Sequence, residues 1–161
     1  MTMTSLLRKG LLVLVAVLLC PAGAAFADDG EADLGHHGYV VYEGGRLTMQ
    51  LRSWNHGPDS LASGAVRVSF SAPVEGRLPR GCERSGPAAV VCETGELRAG
   101  AAGGRVLDFG LRVKGAPAEV VVEVRTVRTG PAEPGTRVRD ANPGNDRQRV
   151  LAPATGDVYY F

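Results

Sequence analysis

The sequence predicts an all-β domain: an antiparallel sandwich of about seven short strands held by one internal disulfide. Three observations carry this expectation. Apolar and polar residues alternate with a period of two in run after run. Clusters of Gly, Pro, Asn and Asp separate those runs, and no long stretch shows the 3.6-residue spacing of an amphipathic helix. Short alternating runs punctuated by turn formers are the pattern of a sandwich with Greek-key connections.

The runs follow in order. Residues 28–38 are acidic and contain glycine, with no apolar periodicity, and read as a flexible lead-in. Tyr39 to Tyr42 is a short β-type segment, and Gly44-Gly45 turns the chain. From Arg46 to Trp54 the pattern is clean: Leu47, Met49 and Leu51 point one way, Arg46, Thr48, Gln50 and Arg52 the other. One apolar and one polar face describe a half-buried antiparallel strand. Val66, Val68 and Phe70 repeat the pattern, and Val90 to Cys92 is a short strand. Val106 to Lys114 and Glu119 to Val127 alternate again, and Arg147 to Leu151 supplies a last strand. The sandwich is thus expected over residues 39–151, followed by a tail, 152–161, that ends in Val158-Tyr159-Tyr160-Phe161 and either docks or stays free.

The N-terminus carries an export signal. Arg8 and Lys9 precede an apolar run from Leu11 to Leu19, and small residues lead to Ala25-Phe26-Ala27. Basic, apolar and A-x-A segments in that order make a secretory signal peptide, residues 1–27. The run is shorter than the roughly 20 residues a spanning helix needs. Lipidation at Cys20 is disfavoured because Leu19, not a small residue, precedes it; Cys20 is expected to leave with the signal. Cleavage after Ala27 removes Arg8, Lys9 and no acidic residue. What remains is 134 residues with 16 basic and 17 acidic side chains, a formal charge of −1. That size suits one domain, and the near balance argues against nucleic acid, which demands a basic face. The preference for Arg over Lys, with abundant Ala, Gly, Val and Pro, suggests a GC-rich bacterial genome.

Two cysteines, Cys82 and Cys92, stay in the mature chain. In an oxidising compartment they pair most simply with each other. Their spacing is wider than the Cys-x-x-Cys of redox catalysts, so the bond is expected to be structural. Gly86-Pro87 between them supplies the turn.

Three segments together resemble a known family. They are Asn55-His56-Gly57-Pro58-Asp59-Ser60 after an alternating strand; Cys82 to Cys92 followed by Gly95-Glu96-Leu97 and Gly100; and Asp140-Ala141-Asn142-Pro143-Gly144-Asn145-Asp146 before a closing strand. In this order, spanning about Val40 to Leu151, they resemble the immunoglobulin-like conserved repeat of bacterial surface and secreted proteins, a domain of unknown function related to the cell-adhesion-related (CARDB) domains. Trp54 stands where that family usually has Thr, and Asp146 where a second Asn is common; the chain also holds one copy where tandem repeats are usual. The resemblance implies an extracellular immunoglobulin-like module, a spacer or adhesive unit, without catalysis. Independently of it, Asn55 is placed to form an Asx-turn, with Gly57 supplying permissive dihedrals and Pro58 fixing φ. Asp140, Asn142, Pro143 and Asn145 form a similar string of turn residues.

Sites of chemistry are sparse. His36-His37 offers two imidazoles, short of the three or four ligands of a zinc site. Asp140, Asn142, Asn145 and Asp146 depart from the EF-hand pattern, which wants Asp or Asn at position five and Glu at twelve; here those are Gly144 and Leu151. A calcium site of another kind at this loop stays open. His56, Asp59 and Ser60 lie too close in sequence for a hydrolase triad, and no G-x-S-x-G elbow occurs. No catalytic, cofactor or metal residues are therefore assigned. Arg67, Arg112 and Arg125 occupy outward positions of different strands and form a candidate binding stripe for an anionic cell-wall polymer, against the alternative of a solvated, aggregation-resistant face. The expected function is that of a secreted, monomeric, non-enzymatic binding or adhesion module at the bacterial surface, with a protein or cell-wall polymer as partner, no nucleic acid and no stable membrane anchor. An accessory subunit of a secreted partner is the alternative, and an extracellular hydrolase a more distant one.

Overall fold

Period-two alternation buries one face of each strand, and two such faces close on each other. A computed structural model describes residues 29–100, 104–131 and 137–161. Its strands are β1 (Gly30–Ala32), β2 (Leu34–Glu43), β3 (Arg46–Asn55), β4 (Leu61–Phe70), β5 (Val74–Glu75), β6 (Cys82–Arg84), β7 (Ala89–Glu93), β8 (Leu107–Val113), β9 (Glu119–Pro131), β10 (Val138–Asp140), β11 (Arg147–Pro153) and β12 (Val158–Tyr160). Five strands form one antiparallel sheet in the order β11-β9-β4-β7-β6, and five form a second in the order β12-β2-β3-β8-β5. A short parallel pair, β1 with β10, lies apart from both. The result is an all-β sandwich. Among the described residues no helix is long and apolar enough to cross a membrane. The expected signal segment, residues 1–27, and its expected cleavage site lie outside the described residues.

The strand count exceeds seven. All seven alternating segments form strands, while β1, β5, β6, β10 and β12 are two or three residues long. Such short pieces carry too few residues to display a period.

The core lies between the sheets. Val40, Tyr42, Leu47, Met49, Leu51, Phe109 and Leu111 from one meet Val66, Val68, Val90, Val120, Val122 and Val124 from the other. A satellite cluster of Ala32, Leu34, Leu61 and Leu97 fills one end of the molecule, with Val138 against it. Between the two clusters sits a polar bridge. His36 is 1% exposed; its Nδ1 meets Ser53 Oγ at 2.9 Å, and its Nε2 meets Thr126 Oγ1, also at 2.9 Å. Ser53 is its neighbour on β3, but Thr126 belongs to β9 in the facing sheet. One imidazole thus links both sheets.

The disulfide joins Cys82 and Cys92, which face each other directly on β6 and β7 with Cα atoms 4.0 Å apart. The bond lies within one sheet and does not cross the sandwich. Gly86, at φ +115°, supports the reversal between the two strands, and Ser85 N donates to Ala89 O at 2.9 Å.

One segment reading needs correction, and the alternative left open for the tail is decided. Residues 30–32 and 34–38 of the expected flexible lead-in are strand, with Ala32, Leu34 and His36 buried. The sequence there is poor in β-branched residues. Its order comes instead from pairing along the whole of β3, from Leu34 opposite Asn55 to Glu43 opposite Arg46. The C-terminal segment is docked, with β11 extending to Pro153 and β12 adding to the outer edge of β2. Phe161 and Gly38 exchange backbone hydrogen bonds of 3.0 and 3.1 Å. A Cβ on Gly38 would lie 2.9 Å from the Phe161 ring and collide with the Gln50 carbonyl. Glycine is required here by close approach, and the phenyl ring covers the bare backbone.

Candidate binding surface

The turn residues singled out in the sequence are built into the scaffold. Asn55 is buried, and its Oδ1 accepts from Gly57 N and from Asp33 N, both at 3.1 Å. Its amide donates to Asp59 O at 2.7 Å and Leu97 O at 3.2 Å. Thus one side chain ties the β3–β4 turn to the chain on either side. Gly57 serves otherwise than by permissive dihedrals: a Cβ there would sit 2.6 Å from Ala32 Cα and Asp33 N. The backbone between β1 and β2 passes too closely for any side chain. Gly57→Ala is accordingly expected to destabilise the domain by about 1–3 kcal/mol, the scale of overpacking, as a lowered denaturation midpoint. Pro58 is exposed in the same turn.

At the second turn cluster, Asp140 Oδ1 accepts from Asn142 N at 2.9 Å, and Asn145 Nδ2 donates to Asp33 Oδ1 at 2.7 Å. Pro143 is exposed between them. Burial, with the neighbouring Asp140 carboxylate, raises the Asp146 carboxyl above its ordinary range. Among the described residues no group of three or more His, Cys, Asp or Glu side chains is arranged to hold a metal ion.

The triad-like residues are occupied. Asp59 Oδ2 accepts from Glu31 N at 2.7 Å, and Ser60 Oγ accepts from Ala99 N at 3.0 Å. His36 and His37 point to opposite faces of β2, as neighbours on a strand must, so they do not form a chelating pair. His37 instead lies near His56, with ring centroids 6.4 Å apart.

The arginine stripe does not assemble as expected. Arg67 and Arg125 are directly paired on β4 and β9, and Arg147 of β11 lies opposite Arg125. Arg112 belongs to β8 in the other sheet, in a row with Arg46 and Glu75. Alternation tells which face of its own sheet a residue occupies, but not which sheet that is. Arg67 is also committed locally, its Nη1 donating to Ser85 Oγ at 2.8 Å, and Glu123 lies within ion-pair reach of Arg147 and Arg149.

A different surface gathers aromatic and cationic groups. On the outer face of β12-β2-β3, an open groove of about 370 Å³ is lined by His37, Gly38, Tyr39, Gln50, Arg52, Trp54, Tyr160 and Phe161. The register explains the gathering. Tyr160 pairs with Tyr39, Tyr39 with Gln50, His37 with Arg52 and Gly35 with Trp54. The Tyr39 and Tyr160 rings meet edge to face at 6.2 Å, and His37 meets Trp54 at 5.3 Å. The Arg52 guanidinium lies 5.4 Å from the Trp54 ring centroid, a cation–π contact. Tyr160 is 78% exposed.

This groove escaped the sequence reading because its residues come from three separate strands. One signal was present: Trp54 stands at a polar-face position of an alternating strand, where a large aromatic ring has no packing reason to be. A second hollow on the same sheet, lined by Arg46, Glu75, Gly76, Gly110, Leu111 and Arg112, has no aromatic wall, and Glu75 is paired with Lys114 at 2.7 Å.

No family model matches the chain, and no curated protein matches it in sequence.

Proposed function

We propose that this protein is a secreted, immunoglobulin-like binding module that acts at the bacterial cell surface without catalysis, in line with its resemblance to adhesion-related repeats. The observation that carries this reading is the groove. Rings and a guanidinium stand on the outer face of a well-packed sheet, where burial against other parts of the domain does not account for them. Large amphipathic rings with arginine are what binding surfaces concentrate. Rigid strands hold them in place, so little ordering is needed when a partner arrives. The export signal and the disulfide, which persists in oxidising compartments, support an extracellular setting.

Retention on cells tests the reading. The exported protein, purified and added back to intact producer cells, is expected to sediment with them. Tyr160→Ala, at an exposed position, is expected to lower that retention at least severalfold while leaving the melting temperature unchanged. Equal retention of the variant, or none for the wild type, contradicts it.

A further inference from the structure

We propose that the groove binds the carboxylate-bearing sugar units of an anionic polysaccharide. Arg52 receives the carboxylate, and Tyr39, Tyr160 and Trp54 present ring surface to the sugar faces. This inference rests on the binding-module reading above and names its ligand.

Charge gives the first argument. None of the groove's lining side chains is acidic, whereas those of Arg52 and His37 both line it. The carboxylate closest in register, Asp108, is held by the Gln50 amide at 3.0 Å. Among the described residues Arg52 forms no ion pair. Its guanidinium rests against Trp54, which orients the planar group and leaves N–H donors for a carboxylate to engage in bidentate fashion.

Ring chemistry gives the second. A sugar ring offers a face of C–H groups bordered by hydroxyls. Stacking that face on an aromatic ring buries apolar surface while the rim stays hydrogen-bonded. Gln50, His37 and the Tyr160 hydroxyl supply polar partners at the edges of the groove.

Shape gives the third. Trp54 lies four residues beyond Gln50, the partner of Tyr39, so the aromatic track runs about 14 Å along the strands. It is open along its length, which suits a chain passing through better than a small molecule enclosed. An acidic peptide is less well served. Extended peptides bind by adding to a free sheet edge, and Arg52 and Trp54 stand on β3, two strands in from the β12 edge.

The chain has a single tryptophan, Trp54, so intrinsic fluorescence reports from the groove itself. The purified protein would be titrated with alginate, with neutral dextran and with poly-glutamate. Saturable change with alginate is expected, and none with dextran or poly-glutamate. Arg52→Ala and Tyr160→Ala, each checked for unchanged melting temperature, are expected to weaken alginate binding tenfold or more. An alginate titration without effect, or an Arg52→Ala variant that binds as wild type does, overturns the proposal. A response to poly-glutamate as strong as that to alginate overturns the sugar assignment. Cell retention that still depends on Tyr160 would then leave the binding module standing; its loss as well would remove both.

Discussion

Replacing Cys82 and Cys92 together by alanine is expected to cost about 3 kcal/mol of unfolding free energy, within the 2–5 kcal/mol usual for a native disulfide in a small secreted domain. The two cysteines are separated by 10 positions, and closing a loop of that size removes about 3 kcal/mol of unfolded-chain entropy. The location makes the loss local as well. The β6 strand is only three residues long and forms the outer edge of its sheet, with β7 as its one neighbour. Cys92 is fully buried whereas Cys82 is partly exposed, so serine at Cys92 adds the cost of a buried hydroxyl and alanine is the cleaner test. Urea unfolding of wild type and double variant measures the difference. A double variant within about 0.5 kcal/mol of wild type, the scale of ordinary surface substitutions, would show that the bond does not hold this edge.

Acidification is expected to remove a comparable amount through His36. Burial between the sheets, assisted by the neighbouring His37, pushes the His36 pKa down to about 4 from an ordinary 6.5. The unfolded chain therefore binds a proton more readily than the folded one does. The stabilisation is complete above about pH 6.5 and is lost as pH falls toward 4, at about 3 kcal/mol for the full shift. On the strands it bridges, the facing groups are the Ser53 and Thr126 hydroxyls, and neither supplies a negative charge to hold an imidazolium. His36→Gln retains a side chain with both donor and acceptor and does not titrate. Unfolding free energies between pH 7.5 and 4.5 should fall about 2.5 kcal/mol further for wild type than for this variant. Parallel curves would mean that His36 titrates normally and that the bridge is open to water.

How much of this was legible beforehand depended on whether a residue's role is local. The alternation of Leu47, Met49 and Leu51, or of Val120, Val122 and Val124, is set by the pleat of one strand, and the sandwich follows from it. The disulfide was legible because the chain beyond residue 27 offers only two cysteines and a Gly-Pro turn between them. The ordered segment around His36 was not. Gly-His-His carries no β signal, and only its pairing with β3 and the facing Thr126 gives it a place. The arginine stripe failed for the same reason, since Arg112 shares the outward parity of Arg67 and Arg125 but belongs to the opposite sheet. The groove needed three strands to be brought side by side, and Trp54 on a polar face was its one trace in the sequence.

Binding at the outer face of β12-β2-β3 is read most directly from a backbone amide NMR spectrum of the labelled protein recorded with and without cell-wall polysaccharide from the producing cells. Shift changes are expected to concentrate at His37, Tyr39, Gln50, Arg52, Trp54 and Tyr160. Changes centred instead on Arg67, Arg125 and Arg147 of the other sheet would contradict it.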